Sequence, residues 1–266
     1  MPYSLGIIGC GQIAYAIIKG LTQNRSIDLQ DIIINDISQE RIGLFEKEFN
    51  AKFQPVPDLI KDSDIVLLAV KPQQVKEVLE NSEPYWNQNK LLISVAAGIT
   101  IKFLEEKTGP VPVVRTMPNT PCLAGMGVVA ISGGSFAQEK HIDLAEQIFI
   151  NIAKCIIIEE NYLNAITAIS GSGPAYLYLT VEALVNAAVS IGLNHQLANF
   201  LVIETLKGSI ELLEKTGEHP AVLRDKVSSP GGTTIAAISQ LESRGIRSAY
   251  FEAVQKAWQR AKELGE

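Results

Sequence analysis

The first half of the chain alternates short apolar runs with segments of helical spacing. The apolar runs are nearly continuous, which is typical of strands buried on both faces of a parallel sheet. They lie at residues 4–9, 32–35, 64–70, 91–96 and 111–116. The segments between them predict helices, which cover residues 12–21, 38–49, 72–80 and 100–107. Repeated strand–helix units predict a parallel, doubly wound α/β sheet.

Local signals mark where several of these helices begin. Ser38 and Thr100 are predicted N-caps, because their hydroxyls can accept hydrogen bonds from first-turn N–H groups. Pro72 stands where a first-turn proline is favoured. The sheet is predicted to continue through a strand over 127–132, a helix near 138–151 and a strand over 155–160.

After about residue 160 the pattern changes to long helices. Residues 174–193 are apolar nearly all round, with Glu182, Asn186 and Ser190 forming one narrow polar stripe. This pattern predicts a deeply buried helix. A membrane span is disfavoured because Glu182 and Asn186 lie in the middle of the segment and no cationic residues flank it.

Two further helices are predicted in this half. Gly192 is read as a helix stop and Asn194 as the N-cap of a helix that continues to about Lys215 and closes at Gly217. The last helix is predicted over residues 248–264. Its predicted buried positions, at helical spacing, are Tyr250, Val254, Ala257, Trp258 and Ala261.

The change of pattern predicts two domains. We expect an α/β domain over residues 1–160 and an all-α domain over residues 161–266. About 100 residues of helix are too few to cover a central helix that is apolar on nearly every side. The sequence therefore predicts a homodimer as the smallest unit.

Composition excludes several classes of protein. The 266 residues carry a formal net charge of -6 and no basic run, which argues against binding to nucleic acid. Cys10, Cys122 and Cys155 are far apart and show no CxxC spacing, so neither a disulfide framework nor a metal site is predicted. The first residues lack the cationic start of a signal peptide, and we expect a cytoplasmic protein.

The first strand runs into a glycine-rich turn, Gly9-Cys10-Gly11-Gln12-Ile13-Ala14, which has the form G-x-G-x-x-A. The turn precedes a helix, and Asp36 follows 22 residues after Ala14 at the end of the second strand. This context predicts an N-terminal Rossmann-type domain that binds a dinucleotide, with its pyrophosphate at the helix N-terminus. The cofactor contacts predicted from this motif are Gly9, Gly11, Gln12, Ile13 and Asp36.

Further residues follow the next strands at the same edge of the predicted sheet, where doubly wound folds bind ligands. An alternative remains for each side chain, because surface loops also contain proline and asparagine for local reasons. Their clustering favours the cofactor interpretation. The predicted contacts are Ala69, Val70, Lys71, Pro72, Ala97, Gly98 and Asn119.

Residues 227–237, VSSPGGTTIAA, form a polar segment too constrained for a linker. Pro230 fixes one φ angle, and Gly231 and Gly232 permit positive φ directly after it. A helix start follows, so backbone N–H groups and hydroxyls are predicted to converge on an anion. The alternative is an ordinary capping turn.

Several segments occur together and in order as in the pyrroline-5-carboxylate reductase family, which the whole chain resembles. This resemblance implies NAD(P)H-dependent reduction of the C=N bond of 1-pyrroline-5-carboxylate to L-proline, the last step of proline biosynthesis. It also implies decamers built from dimers. The segments that carry it are GCGQIA, LAVKPQ, MPNTP, SGSGPAYLY, GEHPAVLRDKVSSPGGTTIAA and LESRGIRSAYFEAV.

The resemblance also implies roles for the loop residues. The substrate carboxylate would bind backbone N–H groups and hydroxyls of the loop, and the Thr234 hydroxyl would contact the ring nitrogen as the catalytic contact. Thr233 would contribute only its backbone, because the family varies there. Residues 172–174 would begin the long helix near this site. The implied substrate contacts are Val227, Ser228, Ser229, Gly231, Gly232, Thr233 and Thr234.

The sequence shows no acid–base dyad. A protonated iminium can take its proton from water before it binds, so a dedicated general acid is unnecessary. His219 is the one candidate acid, and a structural role is favoured for it. Alternative functions are another imine or 3-hydroxyacid reductase of the same plan, or a dinucleotide-binding regulator without turnover.

The choice of cofactor stays open between NADPH and NADH. Asp36 favours NADH, because a carboxylate accepts hydrogen bonds from both ribose hydroxyls and repels a 2′-phosphate. Ser38 and Arg41, however, could hold that phosphate if Asp36 turned outward. The resemblance favours NADPH, which the family commonly uses.

Overall fold

A computed structural model describes residues 3–24, 27 and 29–264. The described residues fall into two compact units. The first contains the chain up to Pro174 together with the part that begins at Lys256, and the second is Ala175–Gln255.

The first unit contains an eight-stranded sheet, counted over the described residues, in the order β3-β2-β1-β4-β5-β6-β7-β8. All neighbouring strands are parallel except β6 and β7. The predicted doubly wound α/β sheet is confirmed. The strands are β1 Tyr3–Ile8, β2 Leu29–Asn35, β3 Lys52–Phe53, β4 Ile65–Leu68, β5 Leu91–Ser94, β6 Val113–Met117, β7 Gly127–Gly133 and β8 Ala153–Ile157.

The antiparallel pair has a simple cause. The connection between β6 and β7 contains one 3-10 turn, Thr120–Ala124, and no crossover helix. A parallel pair would need a longer crossover, so the chain returns beside β6 in the opposite direction. The sequence pattern missed β3, because two exposed residues make no apolar run.

Twelve α-helices are assigned within the described residues, and α3, α7 and α10 are additions to those predicted. The predicted N-caps are confirmed. Ser38 Oγ accepts from the Arg41 N–H, and Thr100 Oγ1 accepts from the Phe103 N–H. The helices are α1 Gln12–Asn24, α2 Gln39–Phe49, α3 Val56–Asp62, α4 Pro72–Glu80, α5 Ile101–Thr108, α6 Glu139–Phe149, α7 Leu163–Ile166, α8 Gly173–Ser190, α9 His195–Thr216, α10 Pro220–Lys226, α11 Thr233–Ser243 and α12 Ile246–Glu263.

The core of the first unit lies on both faces of the sheet. One buried cluster joins β1 and β2 to α1, α2 and α6, and includes Ile7, Ile17 and Phe45. The other joins the opposite face to α3, α4 and α5, and includes Leu59 and Val66. Because both faces are covered, the strands read as continuous apolar runs in the sequence.

The expected deep burial of α8 is wrong for the single chain. The structure describes every residue of this helix, and among them only Val185 is buried. Leu177, Tyr178 and Leu179 are 50%, 62% and 68% exposed. Within the second unit the accompanying helices cover only part of a helix that is apolar all round. Among the described helices, none is both long enough and apolar enough to cross a membrane.

The helix punctuation in this unit follows the sequence closely. Asn194 caps α9 by accepting from the Leu197 N–H at 2.9 Å, and Gly217 ends it at a φ of 62°. The burial predicted for α12 is only partly correct. Ala261 is buried, whereas Tyr250 and Trp258 are exposed. The Tyr250 hydroxyl forms a hydrogen bond with the Thr180 hydroxyl, and the Lys262 ammonium lies over the face of the Trp258 ring.

Candidate functional site

The predicted cofactor residues follow parallel strands and therefore lie at one edge of the sheet, the carboxyl edge. β1 lies between β2 and β4 in the sheet order, so the chain leaves β1 where the strand order reverses. Open α/β sheets bind ligands at such points. The residues are Gly9, Gly11, Gln12 and Ile13 after β1, Asp36 after β2, Ala69, Val70, Lys71 and Pro72 after β4, Ala97 and Gly98 after β5, and Asn119 after β6.

The glycine-rich turn needs its two glycines for different reasons. Gly9 has a φ of 99°, and a Cβ there would lie 2.7 Å from the backbone carbonyl of Ala69. A side chain at Gly9 is therefore excluded by the protein itself. A Cβ at Gly11 would meet no atom within 4 Å. Gly11 leaves open space at the start of α1, where a pyrophosphate needs close approach.

Asp36 is tied to this turn by its carboxylate. Oδ2 accepts from the Cys10 N–H at 2.6 Å, and Oδ1 accepts from the Ser38 N–H at 2.8 Å. The first bond joins the end of β2 to the glycine-rich turn, and the second closes the turn into α2. The half-buried carboxylate is thus held at the place where the first helix begins.

Two of the predicted cofactor residues are already engaged by the protein. Asn119 is 9% exposed; its Nδ2 donates to the Ser170 carbonyl, and its Oδ1 accepts from the Val128 N–H. Gly98 is buried, and a Cβ there would lie 2.7 Å from Leu264. Both residues lie at the predicted edge, and their contact with a cofactor stays a prediction.

A buried ion pair between β6 and the segment after β8 was missed from the sequence. Arg115 in β6 is 4% exposed, and its Nη1 lies 2.7 Å from Oε1 of Glu160. The same oxygen accepts from the Ile101 N–H at the start of α5. An arginine in an otherwise apolar strand was the available signal, because such a charge needs a buried partner.

The loop at residues 227–234 ends at the N-terminus of α11. Gly231 has a φ of 69°, and the Gly232 N–H donates to the Ser229 carbonyl to close the turn. The first backbone bond into the helix is from Ala236 to Gly232, so the N–H groups of the first turn are left without helical acceptors. These N–H groups belong to Thr233, Thr234 and Ile235.

The hydroxyls of this loop differ in their availability. Ser228 Oγ donates to the Arg224 carbonyl at 2.7 Å, and its N–H donates to Asp225. Ser229 Oγ lies directly over Gly232, where a Cβ would collide with it. Thr234 is half-buried and Thr233 is exposed. The predicted substrate residues are therefore contiguous around one helix N-terminus, and Thr234 is the more enclosed of the two threonines.

His219 caps the N-terminus of α10. Its Nδ1 accepts from the Ala221 N–H at 3.2 Å. The neighbouring Glu218 forms an ion pair with Lys226 at 2.6 Å. Nδ1 is an acceptor in this arrangement and carries no proton to donate.

The cysteines and the acidic side chains form neither a nucleophile nor a metal cluster in the described part of the chain. Burial raises the pKa of the Cys10 thiol to about 12, with the Asp36 carboxylate adding to the rise and Arg41 opposing it. Burial likewise raises the pKa of Cys155 to about 11. Both thiols are protonated at neutral pH. Among the described residues, no group of three or more His, Cys, Asp or Glu could hold a metal ion.

The fold and the glycine-rich turn at the carboxyl edge of its sheet are those of a dinucleotide-binding protein. Comparison with known families gives two matches. The family described as "Pyrroline-5-carboxylate reductase dimerisation" matches residues 160–264, and "NADP oxidoreductase coenzyme F420-dependent" matches residues 4–98.

Full-length relatives agree with the first match. Pyrroline-5-carboxylate reductase of Glycine max is 40% identical over 98% of this chain and 96% of its own length. The Synechocystis enzyme is 37% identical over 100% and 99%. The crystal structure of Plasmodium falciparum pyrroline carboxylate reductase with NADP bound superposes with a TM-score of 0.90, at 32% identity, over 99% of this chain and 98% of that one.

The chain belongs to the pyrroline-5-carboxylate reductase family, and the resemblance noted in its sequence is confirmed. It is an oxidoreductase that uses NAD(P)H to reduce 1-pyrroline-5-carboxylate to L-proline. Its residues 160–264 match the family's dimerisation region, so the enzyme is an oligomer. This assembly gives a reason for the apolar surface of α8.

Proposed function

We propose that the loop Val227–Thr234 binds the carboxylate of 1-pyrroline-5-carboxylate and that the Thr234 hydroxyl contacts the ring nitrogen. The observation that carries this proposal is the N-terminus of α11, where three backbone N–H groups lack helical acceptors beside the half-buried Thr234. A small carboxylate can accept hydrogen bonds from several backbone N–H groups and short hydroxyl side chains, and it is favoured at the positive end of a helix.

The remaining loop residues have supporting roles. Gly231 and Gly232 shape the turn, and Ser229 adds a hydroxyl over it. Val227 and Thr233 contribute backbone groups. Ser228 stays a proposed contact, which requires its hydroxyl to exchange the Arg224 carbonyl for the ligand.

The cofactor is proposed to bind along the carboxyl edge, with its pyrophosphate at Gly11, Gln12 and Ile13 and its ribose at Asp36. When bound, NAD(P)H supplies the hydride that reduces the C=N bond. The chain holds the ring nitrogen through Thr234, which fixes the orientation of the imine. No side chain is assigned as a general acid, because His219 is used as a helix cap and water can protonate the imine before binding.

The sheet edge also supplies the surroundings of the cofactor. Ala69, Val70, Lys71 and Pro72 line the step from β4 to α4, and Ala97, Gly98 and Asn119 follow the next strands. One N–H of the Asn119 side-chain amide donates to the protein, and its oxygen accepts from the protein. The second N–H of this amide can donate to a ligand.

The arrangement of the whole enzyme is proposed as follows. Residues 1–160 form the dinucleotide-binding domain and residues 161–266 the dimerisation and substrate domain. A homodimer is the smallest unit, and five dimers build a decamer. The net charge of -6 supports the absence of nucleic acid among its partners. We place the enzyme in the cytoplasm.

A substrate panel tests the reaction and its specificity. The purified full-length chain is mixed with NADH or NADPH and with 1-pyrroline-5-carboxylate or pyrroline-2-carboxylate, and separately with NAD+ or NADP+ and 3-hydroxyacids. Cofactor turnover is followed by absorbance. We expect the highest kcat/KM with 1-pyrroline-5-carboxylate. Faster turnover of pyrroline-2-carboxylate or of a hydroxyacid would contradict the proposed loop chemistry.

A further inference from the structure

The end of β2 carries a carboxylate whose direction is fixed by backbone groups. Asp36 accepts from the Cys10 N–H and from the Ser38 N–H, at 2.6 Å and 2.8 Å. Turning the side chain outward would leave these two donors, one in the glycine-rich turn and one in the turn into α2, without their acceptor. The carboxylate is therefore held beside the space left open by Gly11.

We propose that Asp36 makes this enzyme prefer NADH to NADPH. The inference rests on the proposed placement of the cofactor at the carboxyl edge. Each oxygen of Asp36 uses one lone pair for a backbone N–H and retains another for a ribose hydroxyl. A 2′-phosphate at that place would bring a second anion against a carboxylate that cannot turn away.

The turn after β2 offers few groups that could bind a 2′-phosphate. The Ser38 N–H is already donated to Asp36, and the Ser38 hydroxyl accepts from Arg41 as the N-cap of α2. From Asn35 to Arg41 the sequence contains one cation, Arg41, against two carboxylates, Asp36 and Glu40. The turn after β2 thus carries a net negative charge, which is unfavourable for a phosphate dianion.

The residue after Asp36 supports the same preference. Ile37 is 88% exposed, although isoleucine is usually buried. Its side chain offers no hydrogen-bond donor to a phosphate, but it gives an apolar surface for the face of an adenine ring. The pair Asp36 and Ile37 therefore suits an adenosine with free ribose hydroxyls.

The preference belongs to this turn and is not carried over from a relative. The Plasmodium falciparum enzyme was crystallised with NADP bound. The proposal for the present chain rests on its own tethered carboxylate.

The experiment uses the full-length enzyme and two readouts. The first is kcat/KM for NADH and for NADPH at saturating 1-pyrroline-5-carboxylate. The second is the Kd of each cofactor, measured by fluorescence without substrate. The variants are Asp36→Ser, which removes the carboxylate, Glu40→Gln, which removes a nearby exposed carboxylate of α2, and Arg41→Ala.

We expect the wild-type enzyme to favour NADH at least tenfold by both readouts. Asp36→Ser should lower this ratio at least tenfold, and Glu40→Gln and Arg41→Ala should change it less than threefold. Because the ratio compares two cofactors on the same protein, it is insensitive to the fraction of a variant that folds.

Three results overturn the inference. They are a wild-type preference for NADPH, an NADH preference that survives Asp36→Ser, and a preference governed by Arg41→Ala. If 1-pyrroline-5-carboxylate is not turned over, the proposed function fails separately, and the Kd ratio still decides the role of Asp36. Absence of binding by either cofactor overturns both.

Discussion

The guanidinium of Arg115 lies 2.7 Å from the carboxylate of Glu160, and the same carboxylate oxygen accepts the first N–H of α5 from Ile101. One carboxylate thus joins β6, the start of α5 and the segment after β8. Arg115 is 4% exposed, so its charge depends on this partner.

Glu160→Gln should therefore destabilise the fold. We expect a loss of about 2–3 kcal/mol in the free energy of unfolding, less than for a fully buried pair because the Glu160 side chain is 31% exposed. Urea denaturation at fixed protein concentration measures the change. The matched control is Glu159→Gln, an exposed neighbour, with an expected change below about 0.5 kcal/mol. Equal effects for the two variants would remove the special role of the pair.

Thr234→Val should lower kcat/KM for 1-pyrroline-5-carboxylate about ten- to a hundredfold. A hydrogen bond to a charged group contributes about 1.5–3 kcal/mol, and valine keeps the shape of the side chain. The Kd of the cofactor should barely change. Steady-state kinetics and a thermal melt provide the measurement.

Thr233→Val is the control for this prediction, because the neighbouring hydroxyl is proposed to have no role in binding. It should leave kcat/KM within about threefold. If Thr234→Val is fully active but melts at a lower temperature, the loop is a capping turn and not the substrate site.

Ser229→Ala should raise mainly KM for the imine, since contacts to a carboxylate persist from the ground state to the transition state. Ser228→Ala should also raise KM, and should in addition lower the melting temperature because its hydroxyl donates to the Arg224 carbonyl. Initial-rate kinetics over a range of imine concentrations separate kcat from KM. A fall in kcat at unchanged KM would argue against carboxylate binding by these serines.

The two glycines of the cofactor turn should respond differently to alanine. Gly11→Ala should fold normally, because its Cβ would enter open space, yet weaken cofactor binding at least about tenfold. Gly9→Ala should unfold or destabilise the protein, because its φ is 99° and its Cβ would meet the Ala69 backbone.

Thermal melts and cofactor Kd values test this pair. Gly43→Ala, at an open position within α2, is the control. It should leave the cofactor Kd unchanged and alter the free energy of unfolding by no more than about 1 kcal/mol. Normal cofactor affinity in Gly11→Ala would place the pyrophosphate elsewhere.

The exposed apolar surface of α8 predicts that the smallest folded species is a dimer. Sedimentation of progressively diluted enzyme should show dissociation only together with unfolding. The Leu179 side chain is 68% exposed in the single chain. Leu179→Asp should weaken the dimer, and so raise the lowest protein concentration at which the dimer persists. A stable, folded wild-type monomer would be incompatible with this expectation.

Much of the fold, and the place of the candidate site residues in it, could be predicted from the sequence, because both depend on neighbours along the chain. Apolar runs gave most of the strands, and the caps at Ser38, Thr100 and Asn194 follow from short-range hydrogen bonds. The glycine-rich turn and Asp36 were located by their spacing. The short strand β3 was missed because two exposed residues carry no pattern.

Tertiary structure alone decided which groups are free to act. The direction of the Asp36 carboxylate depends on Cys10, which is 26 residues away in the sequence. The Asn119 amide donates to the carbonyl of Ser170, which is 51 residues away. The exposure of α8 likewise depends on how many helices pack around it. Local spacing determines which face of an element is apolar, but hydrogen-bond partners and burial are set by elements brought together from far along the chain.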